Sequence, residues 1–322
     1  MMENGSGLNR CSRTRASSSW SCNPRLLWAA LLATSAATAQ PVAPAPAPLP
    51  PFGPATSLLV VSPHPDDESL CCAGVIQRVI HSGGSVSIVW ITSGDGSDAD
   101  LLVVEKSLFR NPAKLRDLAL ERMQESRRAA SILGVAADRL FFLGYPDGGV
   151  LAIMTDNYTT PYTSQLTSAA AVPYSQAMFP GHPYTGQSLE HDFQAVLERV
   201  HPTLVLAPSP RDAHPDHRAT GILTIRALAG RSELYKARYW IVHGGRLWPI
   251  PRGYLPQRDL PPPPLGRGLF QTTFELQPVE VRGKYLAVSA YHTQMQVMSS
   301  FLLSFARRNE WYSSIPLPPA SK

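Results

Sequence analysis

Two short segments concentrate side chains able to hold a metal ion. Pro63-His64-Pro65-Asp66-Asp67-Glu68 follows the apolar run SLLVVS, and Asp212-Ala213-His214-Pro215-Asp216-His217 follows TLVLAPSP. His64 and Asp67 stand three residues apart where a turn enters a helix, and His214 and His217 share that spacing. It lets each pair converge on one point. Imidazole nitrogen and carboxylate oxygen are donors that Zn²⁺ takes, and a catalytic site keeps one further position for water. Fe²⁺ or Co²⁺ suits the same donors, because His and Asp do not discriminate among these ions. Asp66 lies one position off the spacing. Its carboxylate is expected beside the water rather than the ion, where it can accept a proton from a water made acidic by the metal. Either segment alone also reads as a polar turn, since Asp66 or Asp67 would make a good helix N-cap. Together, each directly after a buried strand, they point to one divalent metal site.

The elements that must position these residues alternate. Ser57–Ser62, Ser85–Thr92, Arg139–Leu143 and Thr203–Ala207 are short apolar runs that predict buried strands. Between and after them, Leu70–His81, Pro112–Leu133, Leu189–Val200 and Ala219–Ala229 carry apolar residues at helical spacing. Gly83-Gly84 and Gly134 supply stop signals. Wholly apolar strands alternating with helices predict an α/β fold, a Rossmann-like mostly parallel sheet with helices on both faces. In such sheets sites collect at the carboxyl ends of the strands. The first strand-to-helix turn has no G-x-G-x-x-G, which disfavours a dinucleotide. Residues 150–188 are rich in Thr, Ser, Tyr and Pro and read as an inserted loop, functional or mobile. Residues 245–270 contain a second loop, Phe270–Leu276 reads as a strand, and Pro278–Arg307 as mostly helix. Substrate specificity is expected in the two loops, with Tyr158, Tyr162, Tyr174 and Tyr184 either stacking on a sugar or packing the loop.

With HPDDE and HPDH in place, the stretch LGYPDG (Leu143–Gly148) completes a resemblance to the PIG-L/LmbE-like family of zinc-dependent N-acetylglucosaminyl deacetylases. It runs from about Ser57 to Thr220, with a weaker echo at KYLAVSAYHTQ (Lys284–Gln294). The resemblance implies that His64, Asp67 and His217 ligate zinc. It makes Asp66 the general base, and His214, as an imidazolium, the group that holds the oxyanion. Asp216 would orient that histidine, while Arg122 and Asp147 would contact the substrate. Glu68 and Glu125 read as supporting. His292 falls in the tail motif, though a packed or surface histidine reads equally well there. His81, His182, His191, His201 and His243 have no partner spacing and are expected to be structural or exposed.

The implied function is removal of an acetyl or other acyl group from the nitrogen of an amino sugar or glycoconjugate. An amidase acting on a non-sugar N-acyl or thiol-conjugate substrate would use the same residues. A non-catalytic sugar- or metal-binding protein is the remaining alternative. The partner expected is a small-molecule or glycan N-acyl amino sugar.

Composition fits a globular enzyme. The chain has 322 residues, 44% hydrophobic and only 16% charged, which excludes a solvated disordered chain. Its formal charge of +5 suggests nucleic acid until the charge is located. Residues 1–39 hold Arg10, Arg13, Arg15 and Arg25 against Glu3 alone, then an apolar run and an Ala37-Thr38-Ala39 end. That is the pattern of a signal peptide. Its apolar run is shorter than the ~20 residues a membrane-spanning helix needs. Cleavage near Ala39 would leave a nearly neutral chain, secreted or periplasmic, with no nucleic-acid partner and no membrane span. Residues 40–55 read as a Pro/Ala-rich linker and 56–322 as the catalytic domain. Only Cys71 and Cys72 would remain, adjacent and expected to stay unbridged.

Overall fold

A computed structural model describes residues 48–96, 111–269 and 271–315. The expected leader and the first half of the linker lie outside them. Chain order is β1 Ser57–Ser62, α1 Asp67–His81, β2 Ser85–Thr92, α2 Pro112–Ile132, β3 Leu140–Tyr145, α3 Val150–Met154, α4 Gly186–Val200, β4 Leu204–Pro208, α5 Pro215–Gly230, β5 Ala237–Trp240, β6 Gln271–Glu275, α6 Pro278–Ser289, α7 His292–Leu302 and β7 Asn309–Ser313. The strands form one sheet in the order β3-β2-β1-β4-β5-β7-β6. The first five run parallel, and β7 and β6 close the far edge antiparallel.

Leu58, Leu59, Val60 and Val61 of β1 are all fully buried. Successive strand residues point to opposite faces, so both faces of the sheet are covered. The helices divide into two packed sets, α1 with α2 and α6, and α3 with α4 and α5. After β1 the chain builds β2 and β3 to one side, then returns with β4 to the other. The crevice between the carboxyl ends of β1 and β4 is therefore the topological switch point where open α/β sheets place their sites. Among the described residues, no helix is long and apolar enough to cross a membrane.

Three expectations are modified, and two strands appear that the sequence reading lacks. The 150–188 segment is packed: Tyr174 and Tyr184 are buried, and the Met178 N–H reaches the Phe142 carbonyl at 2.7 Å, against the sheet's β3 edge. The long helix expected over 278–307 is broken between Ser289 and His292 and leaves helical geometry again at Met298. Strands β5 (ARYW) and β7 (NEWYS) carry charged residues and show no apolar run, so periodicity does not reveal them. Finally, Cys71 and Cys72 are joined as a disulfide. Both lie buried on α1, with no other cysteine among the described residues to meet.

The charge in β7 has a structural partner. Glu310 accepts from the buried Lys284 ammonium of α6 at 2.8 Å, from the Gly74 N–H of α1 at 2.8 Å and from the Tyr312 hydroxyl at 2.8 Å. Burial works against the charge on Lys284 and lowers its pKa, with Glu310 opposing the shift. Removing one member leaves the other charge buried. Lys284→Met is expected to lower unfolding free energy by about 3–5 kcal/mol, read from the denaturant midpoint. An unchanged midpoint would show that this pair does not hold α1, α6 and β7 together.

Candidate metal centre

Each half of the site is a loop fixed by its own backbone. After β1, the Ser62 hydroxyl donates to the His64 carbonyl at 2.7 Å and accepts the Glu68 N–H at 3.2 Å. Asp67 Oδ2 accepts the His64 N–H at 3.0 Å. Asp66 occupies the N-cap position of α1, yet its side chain makes no capping bond, and its backbone sits at φ 115°. A positive φ costs a non-glycine residue about 1–3 kcal/mol. Here it turns the carboxylate toward the cavity, 3.6 Å from the Arg122 guanidinium. Arg122 donates to the Pro65 and Gly94 carbonyls at 2.8 and 2.9 Å, tying α2 to both loops. A Cβ at Gly94 would lie 2.3 Å from that guanidinium, so glycine admits the arginine.

After β4, Asp212 organises the second loop. Its Oδ1 accepts the His214 N–H at 2.9 Å, and its Oδ2 accepts those of Val242 and His243 at 2.9 and 3.0 Å. The sequence reading passed over this aspartate, although it opens the same hexapeptide. His214 caps α5, with Nδ1 accepting the Asp216 N–H at 3.2 Å and Pro215 in the first turn.

The two loops meet in a triangle of donor atoms. His64 Nδ1, Asp67 Oδ2 and His217 Nε2 lie 3.2, 3.1 and 3.2 Å apart. One face of a tetrahedron around an ion with bonds near 2.05 Å has edges of about 3.3 Å. The outer nitrogens explain why lone pairs point inward. His217 Nδ1 faces Asp212 Oδ2 at 3.2 Å, and His64 Nε2 faces Asp147 and Asp216, each at 3.2 Å. A carboxylate at the outer nitrogen selects the tautomer with its proton there and frees the inner lone pair. The donor set therefore fits a divalent cation.

Electrostatics agree. Burial disfavours charge on His217, but Asp67 and Asp212 outweigh it and lift the pKa to about 9. Burial likewise opposes ionisation of Asp67, Asp147 and Asp212, and the neighbouring cations still hold all three below the usual carboxylate range. Burial, with Asp67 beside it, pushes Asp66 well above that range. The pocket favours positive charge at the triangle.

Three expectations change in detail. Burial, helped by the His64, His217 and His243 rings, drives His214 down to about 3. It is a neutral imidazole rather than an imidazolium, and its capping bond leaves Nε2 as the N–H donor. Asp216 does not turn its carboxylate to His214; that group accepts the Gly148 and Val150 N–H at 2.7 and 3.1 Å and faces His64. His243 is no isolated structural histidine. Its ring is 4.7 Å from that of His217, and burial lowers its pKa to about 4.

Asp147 lines the cavity within 3.9 Å of Arg122. Asp95, unmarked in the sequence, accepts the Asp147 N–H at 2.8 Å and the Tyr174 hydroxyl at 2.9 Å, and burial raises it to about 6. Glu68 takes the Trp90 indole and Tyr291 hydroxyl at 2.9 and 2.5 Å, and Glu125 holds Thr293 through two bonds. These are supporting contacts, as read. His292 is exposed, and His182 and His191 both bond Asp192, away from the triangle. Tyr158 donates to Glu190, Tyr174 to Asp95 and Tyr184 to the Gly144 carbonyl, so the tyrosines pack the insertion. No described residue of 150–188 or 245–270 lines the cavity over the triangle; its wall comes instead from α1, α2, α7 and the strand ends.

Fold and site together define an α/β protein with a His/Asp cluster at the β1/β4 switch point whose donor atoms suit a divalent cation. The chain belongs to the PIG-L family, described as GlcNAc-PI de-N-acetylase, which it matches over residues 59–228. It is 26% identical over 182 residues to the diacetylchitobiose deacetylase of Thermococcus kodakarensis, covering 56% of this chain and 51% of that one. It is 28% identical over 187 residues to the probable N-acetyl-α-D-glucosaminyl L-malate deacetylase 2 of Bacillus anthracis, covering 58% and 65%. The matches thus span about half to two-thirds of these relatives. In fold it resembles the A40926 pseudoaglycone deacetylase, with a TM-score of 0.52 at 18% identity over 83% of this chain and 99% of that one.

Because Asp212 fixes the His217 tautomer, Asp212→Asn is expected to weaken cation affinity about 10–100-fold. Competition against a chelator at fixed pH measures it; equal affinity would remove Asp212 from the centre.

Proposed function

We propose that the protein is a metal-dependent hydrolase that removes an acetyl or other acyl group from the nitrogen of an amino sugar. The observation that carries this reading is the triangle of His64 Nδ1, Asp67 Oδ2 and His217 Nε2, with both outer nitrogens facing carboxylates. Membership of the PIG-L family and the deacetylase names of its relatives support it. A bound divalent cation, zinc or equally Fe²⁺ or Co²⁺, would acidify water and polarise the amide carbonyl.

The chain's own residues then divide the remaining work. Asp66, aimed into the cavity and unused by its helix, takes the proton from the attacking water and delivers it to the departing amine. His214 donates its Nε2–H to the carbonyl oxygen as negative charge grows there. That donor suits the role as a neutral ring, because the capping bond at Nδ1 fixes which nitrogen holds the proton. Arg122 and Asp147 present charge and hydrogen-bonding capacity to sugar hydroxyls, with Asp95 holding the Asp147 backbone. Asp212 and Asp216 keep His217 and His64 oriented. Export by the N-terminal basic and apolar pattern belongs to the same proposal, with the mature chain acting outside the cytoplasm.

Amine release from a panel of N-acetylated amino sugars, run with metal content, tests the reading. Asp66→Ala is expected to retain metal and lose about 10²–10⁴ in turnover, whereas His64→Ala loses both. Parental turnover in Asp66→Ala would sink the mechanism, and a fully metal-loaded protein that releases no amine would sink the function.

A further inference from the structure

The cavity beside the triangle has two unlike sides. On the His64 side stand Asp147, 3.2 Å from His64 Nε2, and the Arg122 guanidinium, 3.9 Å from Asp147 and 3.6 Å from Asp66. On the other side the rings run outward from His217 to His243 at 4.7 Å, then from His243 to Phe301, stacked at 5.9 Å with 16° between planes. Leu70, Val242, Met298 and Leu302 complete that wall with Phe301. Its side chains are mostly aliphatic groups, a thioether and a phenyl ring, and the polar groups among them are the His243 imidazole and the buried Gln294 carboxamide. Three of them come from α7. With Gln294 they fall at i, i+4, i+7 and i+8 across the break at Met298, and all four line the cavity. The cavity measures about 270 Å³. That volume is shared by both sides, so it holds the sugar end and the acyl group together.

An amide carries its two substituents on opposite sides of the carbonyl carbon. The sugar needs charged and polar partners and finds them on the His64 side. The acyl chain then falls on the His217 side, where apolar surface rewards each added methylene. We propose that the site takes N-acyl groups longer than acetyl, straight chains from butanoyl to octanoyl, with α7 gauging their length. The proposal rests on the deacylase reading above. The reaction is hydrolysis: the water oxygen bonds to the carbonyl carbon, the C–N bond breaks, and the water's protons pass to the amine and the acid. A fatty acid and a free amino sugar result.

The test is amine release by the metal-loaded protein from glucosamine N-acylated with acetyl, butanoyl, hexanoyl or octanoyl chains. A parallel arm uses N-acetylglucosamine carrying alkyl glycosides of the same lengths. We expect kcat/KM to rise at least about tenfold from acetyl to the best longer acyl chain, and to change little with the alkyl glycoside. Met298→Trp, filling the wall, is expected to lower the ratio of octanoyl to acetyl turnover about tenfold or more, while Met298→Ala raises or preserves it. Thermal unfolding of both variants separates a filled wall from a lost fold. Acetyl as the best substrate, with rates falling along the series, would overturn the acyl wall and leave the deacetylase reading standing. A rise with the alkyl glycoside alone would overturn it too, by putting the apolar side under the leaving group. No amine from any member, metal being bound, would overturn both.

Discussion

Everything at the site depends on parallel pairing of β1 with β4. Leu58, Leu59 and Val60 lie opposite Leu204, Val205 and Leu206, and that register delivers two loops, about 150 residues apart in the chain, to the same crevice. Without it, His64 and His217 would belong to unrelated turns. With it, their nitrogens stand 3.2 Å apart. The strands contribute no catalytic group. Their wholly apolar side chains, buried on both faces, give the rigidity that holds donor atoms to tenths of an ångström. The strained backbone at Asp66 persists for the same reason, because β1 on one side and α1 on the other fix the turn that contains it.

Within that frame, neighbours decide which groups are charged. His214 and His217 sit three residues apart on one helix end and are both substantially buried. His217 has Asp67 and Asp212 against its two nitrogens and is lifted to about 9. His214 gives one nitrogen to a backbone N–H, faces three other imidazoles, and falls to about 3. The same side chain thus meets carboxylates at both nitrogens in one case, the setting of a cation centre, and is a neutral hydrogen-bond donor in the other. Asp66 and Asp67 diverge likewise: two imidazoles hold Asp67 ionised, while burial raises its neighbour. Paired groups driven apart by environment are how a folded site separates a ligand from a proton carrier.

The metal-holding half of the site was legible because its chemistry is local. HPDDE and HPDH carry residue type, spacing and position after a strand in six residues each, and the alternation of apolar runs with helical ones supplied the parallel sheet. Contacts that cross the chain were not legible. Asp212 becomes visible as the partner of His217 only when Val242 and His243 come round to bond it, and Asp95 only when Tyr174 of the insertion reaches it. His243 has no partner in sequence because its partner lies 26 residues away on another element. Strands β5 and β7 failed for a related reason. Arg238 and Glu310 interrupt them, and Glu310 is tolerated only because Lys284 is buried against it.

The substrate half was hidden by a different ambiguity. Met298, Phe301 and Leu302 have the spacing of any apolar face on a core helix, and periodicity reports only that water is excluded from that face. It does not report whether the excluding surface is another element or a ligand. Two physical features separate the cases in the folded chain. Met298 leaves helical geometry at φ −137°, ψ 32°, where a helix packed along its length would stay regular. Met298 and Phe301 also remain partly exposed, although Leu302 beside them is buried. In the proposed reading, a chain laid along this half-covered face would remove the remaining water from apolar surface. Acyl specificity is, in that reading, carried by the helix that returns across the switch point after the sheet is complete, while the insertion steadies Asp147 from behind through Asp95.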